Sequence, residues 1–598
     1  MNKLLRLLGL LLLATPLQAA PDVHSQLAQL LHEEKLQGAV WTTLEAQGAA
    51  GLRDAGTGAP MRFDDRVQVG SIAKTVLATG ILRMVSEGRL ALDAPVATVL
   101  PGIRFDNPWE ASDPVRIRHL LDHTAGLDDV HLWHVFTMRA AADTPLAAAF
   151  RQGSKVLRVR QRPGTRFSYS NSGYTLLGMV IEAITGQAYE PYLDATLLAR
   201  LGMHDSSFAF VTQERDPRLA SGHFEDGATH PAVPSYVRPA AQFTTTAADM
   251  GRFARFLMSD GSVNGKPFID TALLRQMGEP AGTEAARAGL SVGYGLGLRR
   301  YDRHWAAAKC HGGNTVGFRA KLCLFPDTQQ AFFIAINADS ETADYARFDA
   351  LLTRTLKVGM LPAPFASPHF DSTAWEGWYV PAPNRFDSFR LLDTVFNPVH
   401  ISGDGHALKL VSPQSGALML RHAGGRLFRG PDKLRASHVL LVSAEGRRVL
   451  STGTQSYEQV SLAYLALLWI SIGGGVLGLT YILIKPLWRL ARRRTAGHIA
   501  GCSARRDPLW APFAGALALL LPLPFFYHQS FMRLGELTLA SGLLAAVTGA
   551  LPVAMLAGLA ASLRAARVDI LDAAAMLAVL QLCLVLAAWG LLPLRLWA

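Results

Sequence analysis

The chain has 598 residues, half of them hydrophobic, and a formal net charge of +11. This length excludes a single ordinary domain, and the positive mean hydropathy argues against a purely soluble protein. A basic balance can indicate a nucleic-acid partner. Many of the arginines, however, flank apolar segments near the C-terminus, which is typical of membrane topology signals. We therefore expect no nucleic-acid partner.

Residues 1–20 have the pattern of a secretory signal peptide. Lys3 and Arg6 form a basic start, 7–14 is an apolar run, and small residues end the segment at Ala20. An uncleaved anchor is the alternative, although the apolar run is short for a membrane span. We expect the chain to be exported to a compartment in which disulfide bonds are allowed.

Ser71 and Lys74 are the first candidate catalytic residues. The apolar residues at 76–82 have the spacing of an amphipathic helix, so Ser71 is predicted at its N-terminus. Residues three apart share a helix face, so the amine can reach the hydroxyl. A lysine with a lowered pKa can activate a serine nucleophile. A Ser-x-x-Lys pattern also occurs by chance, so the pair needs partners elsewhere in the chain.

Two histidines follow at helical spacing. His119 and His123 lie in 117–127, four residues apart, which is a spacing that zinc sites use. The glutamate of a His-Glu-x-x-His motif is absent, and no third ligand is evident in the sequence. We therefore interpret both as buried structural histidines and predict no metal site.

A polar loop at 163–174 is predicted to open onto an apolar helix at 176–184. It carries Tyr169 and Asn171, whose side chains can point into one cleft. A tyrosine can relay a proton when a nearby cation lowers its pKa. An asparagine amide can both donate to and accept from a substrate amide. The alternative is an ordinary polar loop.

Strands and glycine-rich turns dominate the next stretch. Strands are predicted at 38–44 and 51–53, in the glycine-rich segments 291–298 and 309–318, and at 331–337. A closing helix is predicted at 343–356. Glycine lets a substrate approach the backbone closely.

Two cysteines flank a predicted turn in this stretch. Cys310 and Cys323 are either a disulfide or two buried thiols, and the sequence leaves that choice open.

Two further regions complete the chain. After a first region at 21–358, a proline-bearing linker at 359–369 leads to short alternating runs at 370–455. These runs predict a small antiparallel β unit, acting as a spacer or as a wall on the substrate side, in which no chemical groups converge.

The region 461–598 contains four apolar segments that are long enough to span a bilayer. The connections between the first and second segments and between the third and fourth are rich in arginine, whereas the middle connection has only Arg533. The positive-inside rule therefore places the first and third connections in the cytoplasm and the large N-terminal part outside. A four-helix anchor in the lipid bilayer is the expected role. The predicted spans are 462–484, 509–527, 537–559 and 571–592.

Three motifs in a fixed order make the first region resemble a known superfamily. They are Ser71-Ile72-Ala73-Lys74, Tyr169-Ser170-Asn171 and His311-Gly312-Gly313. In this order and at these separations, residues 22–358 resemble the serine β-lactamase and penicillin-binding-protein superfamily, in its class C-like branch. That branch also holds DD-peptidases, D-aminopeptidases and esterases. The resemblance implies an α/β sandwich in which an antiparallel sheet lies beside a helical subdomain.

The resemblance also implies roles for individual residues. Ser71 attacks a carbonyl and forms an acyl-enzyme, while Lys74 and Tyr169 share the proton transfers as a coupled pair. The backbone N–H groups of Ser71 and Asn314 form the oxyanion hole beside Gly313. Asn171 holds the substrate amide and His311 lines the opposite wall. No cofactor is implied.

The third motif departs from the lysine or histidine, threonine and glycine found there in some relatives. Gly312 has no hydroxyl, and a neutral His311 cannot pair with a substrate carboxylate. We therefore predict a membrane-bound, periplasm-facing peptidase or amidase acting on D-amino-acid-containing or acylated peptides. An esterase, a weak β-lactamase or DD-peptidase and a non-catalytic β-lactam or peptidoglycan receptor are the alternatives. The substrate and the oligomeric state stay open.

Overall fold

The computed structural model describes residues 22–151, 155–225, 227–360, 367–495, 507–565 and 569–598. The predicted signal at 1–20 lies outside these residues, as does much of the predicted linker at 359–369. The described chain forms a mixed helix-and-sheet region, a β-barrel and a group of apolar helices, which matches the predicted fold class.

An eight-stranded antiparallel sheet is the centre of the first region. Across the sheet the strands follow the order β4-β5-β6-β7-β8-β1-β2-β3. In the middle, β1 pairs with β8, so that Thr42 lies opposite Phe333. The strands are β1 (Gly38–Thr43), β2 (Gln47–Asp54), β3 (Ala59–Pro60), β4 (Gly293–Gly295), β5 (Leu298–Arg303), β6 (Ala306–Thr315), β7 (Phe318–Phe325) and β8 (Gln330–Ile336).

Helices cover both faces of this sheet, which explains why β1 is buried along its whole length. On one face Trp41 packs in a cluster with residues of the first and last helices of the region. On the other face Val40 and Phe333 join the larger core with the buried central helix. The main helices are α1 (Val23–Glu33), α2 (Ala73–Ser86), α3 (Ile117–Leu121), α4 (Asn171–Thr185), α5 (Ala247–Leu257) and α6 (Ala346–Thr355).

The structure corrects two details of the sequence prediction. α2 is not an amphipathic surface helix, because 11 of its 14 residues are buried, Lys74 among them. α4 begins at Asn171 rather than at 176, because the Ser170 hydroxyl caps the helix by accepting from the Gly173 N–H at 3.1 Å. Tyr169 therefore lies on the loop and Asn171 on the helix.

The predicted β unit is a closed eight-stranded barrel that extends to Val460. Its core contains Tyr379, Ile401 and Phe428, all fully buried. A helix, Arg390–Phe396, follows the first strand. The strands are β9 (Gly377–Pro381), β10 (Val399–Gly403), β11 (Ala407–Ser412), β12 (Ser415–His422), β13 (Leu427–Arg429), β14 (His438–Val442), β15 (Arg448–Ser451) and β16 (Ser456–Val460).

Four helical segments of the last region are long and apolar enough to cross a membrane. They extend over Leu462–Arg492, Trp510–Tyr527, Leu539–Leu563 and Ile570–Ala588. The second differs from the predicted continuous span, since it consists of two helices, Trp510–Ala518 and Leu523–Tyr527, with Pro522 and Pro524 at the junction. The first packs against the fourth, and the second against the third.

Candidate active site

The three predicted catalytic side chains meet within hydrogen-bonding distance. Ser71 lies in the tight turn Gly70–Ile72 that leads into α2. Its Oγ is 3.0 Å from the Nζ of Lys74 and accepts a hydrogen bond from the Tyr169 hydroxyl at 2.8 Å. The Ser71 hydroxyl is therefore held between two proton-carrying groups, which is the arrangement that an activated serine nucleophile requires.

The surroundings of Lys74 favour its neutral form. Its side chain is completely buried, and burial holds the pKa of the amine well below its usual value, with the Arg385 charge acting in the same direction. Besides Ser71, Nζ reaches the Asn171 Oδ1 at 2.6 Å and the Ala240 carbonyl at 2.7 Å. A neutral amine has two N–H donors for these two acceptors, and its lone pair remains for the Ser71 proton.

The pKa of Tyr169 is shifted upward, in the opposite direction to that of Lys74. Burial raises the pKa of its phenol, although the Ser71 hydrogen bond and the Arg385 charge act to lower it. The phenol therefore keeps its proton and acts as a donor. Within the pair, Lys74 is suited to accept a proton and Tyr169 to donate one.

Asn171 is engaged with protein groups on both sides of its amide. Its oxygen accepts from Lys74, and its nitrogen donates to Asp129 at 3.0 Å. The Asp129 carboxylate is fully buried and also accepts from the backbone N–H of Asn171 at 2.7 Å. In this state Asn171 positions Lys74, and its contact with a substrate amide stays a prediction. The sequence analysis did not identify Asp129 as a site residue. The sequence feature that could have pointed to it is the pair of adjacent aspartates, Asp128 and Asp129, directly after the segment 117–127.

The third motif lies on β6 directly against the nucleophile turn. A Cβ on Gly313 would come within 1.8 Å of the Val69 carbonyl, and one on Gly70 within 2.6 Å of the Asn314 carbonyl. Gly70 also has a φ of +50°, which favours glycine. The two glycines therefore let the peptides of Ser71 and Asn314 lie side by side, as an oxyanion hole requires.

His311 is a neutral wall of the site. Its Nε2 is 2.9 Å from the Tyr294 hydroxyl and its Nδ1 is 2.7 Å from the Gly312 carbonyl. Burial lowers the pKa of the imidazole to about 3. This wall therefore carries no positive charge toward a substrate.

A disulfide fixes the strand that carries the third motif. Cys310, next to His311, is bonded to Cys323, directly opposite it on β7. This pairing resolves the choice that the sequence left open.

His119 and His123 each accept a hydrogen bond from a backbone N–H group. The Nδ1 of His119 accepts from the Arg116 N–H at 3.2 Å, and the Nδ1 of His123 accepts from the Ser170 N–H at 3.1 Å. The His123 ring also lies 4.3 Å from the Tyr169 ring, between centroids. Both histidines therefore have structural contacts, and the His123 ring packs against that of Tyr169, the candidate catalytic tyrosine.

The barrel contributes a charged group that the sequence analysis missed. The Arg385 Nε donates to Asp129 at 2.7 Å, and the guanidinium lies 4.6 Å from the centroid of the Tyr169 ring. Arg385, Phe386 and Thr454 line the same cavity as Ser71. The expectation that the β unit brings no functional group to the site was therefore wrong. Of the two roles that the sequence analysis left open for this unit, its position favours a wall on the substrate side over a spacer.

Buried ion pairs hold the barrel in place. Arg166, which precedes the Tyr169 loop, reaches Glu284 of its own region and Glu458 of the barrel, each at 2.7 Å. All three side chains are at most one-tenth exposed. Asp302 on β5 accepts from the backbone N–H groups of Leu434 at 3.0 Å and of Arg435 at 2.7 Å.

Comparison with known proteins gives the family. The Beta-lactamase family model matches residues 24–355, more than half of the chain. "Penicillin-binding protein 4" of Amycolatopsis lactamdurans is 29% identical over 54% of this chain and 84% of its own length. "Esterase EstB" of Burkholderia gladioli is 34% identical over 31% of this chain and 51% of its own length.

Similar solved structures include the octameric penicillin-binding protein homologue from Pyrococcus abyssi. It is 19% identical, with a TM-score of 0.48, and the match covers 73% of this chain and 98% of that one. The D-amino acid amidase from Ochrobactrum anthropi is 24% identical, with a TM-score of 0.45, over 56% of this chain and 98% of its own.

The chain belongs to the β-lactamase family, and it is a serine hydrolase. The predicted superfamily, fold class and enzymatic nature are thereby confirmed.

Proposed function

We propose that the chain is a membrane-anchored serine hydrolase of the bacterial inner membrane, that its catalytic region faces the periplasm, and that Ser71 cleaves an amide or ester bond. The observation that carries the proposal is the contact of Ser71 Oγ with Lys74 and Tyr169 at 3.0 and 2.8 Å. The roles assigned to the other site residues follow from this contact.

In the first half-reaction the Ser71 oxygen forms a bond to the substrate carbonyl carbon and Lys74 accepts the hydroxyl proton. The negative oxygen of the tetrahedral intermediate lies at the backbone N–H groups of Ser71 and Asn314. The bond to the leaving amine or alcohol breaks, and the Lys74–Tyr169 pair returns the proton to the leaving group. In the second half-reaction, water adds to the acyl-enzyme, an acid is released and Ser71 regains its proton.

The contacts of the apolar helices support the orientation. Both the segment between the second and third helices and the segment after the fourth contact the catalytic region: Gly535 N–H donates to the Phe136 carbonyl at 2.8 Å, and the His131 Nδ1 is 3.1 Å from the Ala598 oxygen. The arginine-rich connections belong to the opposite ends of the helices. This distribution is the one that the positive-inside rule associates with a periplasmic catalytic region.

The substrate-binding walls favour a peptidase or amidase of D-amino-acid-containing or acylated peptides. His311 is neutral, Gly312 has no hydroxyl, and the nearby Arg385 is paired with Asp129. At the wall formed by the third motif, a free substrate carboxylate therefore lacks a charged partner, and an amide without that carboxylate fits better. Esterase activity, as the name of one relative suggests, is compatible with the same machinery.

An active-site fluorophosphonate probe tests the proposal on the full chain. We expect one adduct on Ser71 in the wild type and none in Ser71→Ala. A panel of acyl-D-amino acid amides, D-Ala-D-Ala peptides, a cephalosporin and short esters then ranks the classes by kcat/KM. Equal labelling of both proteins would contradict the proposal, and a stable adduct with no turnover of any substrate would favour the receptor.

A further inference from the structure

The segment between the second and third apolar helices lines the catalytic cleft. We call residues 528–538 the inter-helix loop. Phe531 and Met532 of this loop border the same cavity, of about 1030 Å³, as Ser71 and His311. The apolar region of the chain is therefore part of the wall of the active site as well as a candidate anchor.

Specific polar contacts fix the inter-helix loop against the catalytic region. The Glu536 carboxylate, 4% exposed, accepts from the Thr137 hydroxyl at 3.1 Å and from the Met138 N–H at 2.8 Å. A Cβ on Gly535 would come within 2.4 Å of the Leu132 carbonyl. A buried carboxylate with its acceptors satisfied, beside a glycine that permits close backbone approach, indicates a built interface.

The loop and the catalytic region together form an apolar wall. The Phe531 ring lies 6.2 Å from the Phe136 ring and 5.3 Å from the Phe224 ring, between centroids. Val130 and Val135 extend the same wall within the cavity.

The apolar surface continues beyond the cleft onto the helices. Tyr527, which ends the second apolar helix, is 86% exposed. Leu537, near the end of the inter-helix loop, is 55% exposed, and Leu539, the first residue of the third helix, is 63% exposed. In a bilayer, such side chains contact lipid or lie at the interface. The inter-helix loop that contributes Phe531 and Met532 to the wall is therefore flanked on both sides by exposed apolar side chains.

We propose that the substrate is an amphiphile that resides in the membrane: an amide or ester whose acyl group is a long hydrocarbon chain. The chain lies along the wall formed by Val135, Phe136, Phe531 and Met532 while its carbonyl reaches Ser71. This inference rests on the proposed function and narrows its substrate class. Each methylene that leaves water for such a wall strengthens binding by about fourfold, so kcat/KM rises with chain length.

The experiment uses the full chain in lipid nanodiscs and p-nitrophenyl esters with acyl chains of two, eight and twelve carbons. The readout is the ratio of kcat/KM for the longest ester to that for the shortest. We expect the wild-type ratio to exceed one and Phe531→Ser to lower it by about tenfold, the effect of roughly two lost methylene contacts. Phe531→Leu, which keeps an apolar side chain, retains most of the ratio.

Phe63→Ser is the matched control, because Phe63 is half exposed on the catalytic region and does not line the cleft. It is expected to keep the wild-type ratio. A wild type without chain-length preference, or a Phe531→Ser protein with the wild-type ratio, would overturn the inference and leave the proposed function standing if Ser71 is still labelled. Absence of Ser71 labelling in the wild type would instead contradict the proposed function itself.

Discussion

The centre and the rim of the active site differ in origin. The centre, formed by Ser71, Lys74 and Tyr169, belongs to one folded region and is largely buried. The rim is assembled from three regions, since Arg385 comes from the barrel and Phe531 from the inter-helix loop. In the proposed function, the centre carries out the chemistry and the rim determines which molecules reach it.

Because of this difference, substitutions at the centre and at the rim should affect activity in different ways. Loss of a group at the centre removes the proposed proton acceptor, proton donor or nucleophile, so kcat/KM should fall for every substrate. Loss of a group at the rim changes the electrostatic or apolar surroundings and affects some substrates and pH values more than others. Four tests, which use six variants, examine whether the two parts behave in this way, in order of decreasing expected effect.

Lys74→Met removes the proposed base at the centre. We expect kcat/KM to fall by about 10²–10⁴-fold for every substrate in the panel, as is typical for loss of a general base. Met keeps the length of the apolar stem, so the fold is retained, as near-UV circular dichroism would verify. A loss confined to one substrate class would show that Lys74 acts in recognition instead.

Arg166→Met tests the junction between the catalytic region and the barrel. The substitution leaves the buried Glu284 without its cation, and it leaves Glu458 with only the exposed Arg447, at 2.9 Å. The free energy of unfolding should drop by about 3–5 kcal/mol, measured by urea unfolding in detergent.

The matched control is Arg162→Met. Arg162 pairs with Asp113 at the surface, with side chains 39% and 29% exposed, and its removal should leave the free energy of unfolding nearly unchanged. Equal losses in the two variants would mean that the buried junction does not stabilise the chain.

Gly313→Ala and Gly312→Ala compare neighbouring positions of the third motif. A Cβ at Gly313 would collide with the Val69 carbonyl, whereas one at Gly312 meets its nearest atom at 3.9 Å. We expect Gly313→Ala to lower kcat by about 10²–10³-fold through displacement of the oxyanion donors, and Gly312→Ala to stay near the wild type. Steady-state kinetics on a short ester measures both, and similar values would contradict the proposed geometry.

Arg385→Gln tests the charged part of the rim and should have the smallest effect, less than about 10²-fold in kcat/KM at neutral pH. The Arg385 charge lowers the pKa of Lys74, and Asp129, which Arg385 neutralises, raises it. Both changes therefore raise the pKa of Lys74 in the variant. A base works above its pKa, so the acid limb of the kcat/KM profile moves to higher pH. If the acid limb of the kcat/KM profile does not move, Arg385 does not influence the pKa of Lys74.

The centre was predictable because each motif is local. Ser71 and Lys74 are linked by helical spacing, and the order of the three motifs is visible in the sequence. Likewise, apolar segments long enough to cross a membrane predict helices by length alone, so all four were found. The break in the second, between Ala518 and Leu523, depends on how its prolines pack.

The rim was not predictable because tertiary contacts alone define it. Arg385 is 256 positions from its partner Asp129, and no spacing rule joins an arginine in a barrel loop to a turn in another region. Phe531 likewise looks like one more apolar residue near a membrane span. The engagement of Asn171 by Lys74 and Asp129 could not be inferred either, since it requires the helix start at Asn171.

The pairing of β1 with β8 also constrains when the enzyme can become active. Thr43 and its partner Phe332 are about 290 residues apart, and a ribosome needs roughly 15 to 60 s to add that many residues. Until then the first strand lacks one neighbour, and the turn at Ser71 lacks the strand that carries Asn314. Pairings this distant are slow to form and leave strand edges open to aggregation. The newly made chain is therefore inactive and prone to aggregation for an interval. The order of the strands in the sheet sets the length of that interval.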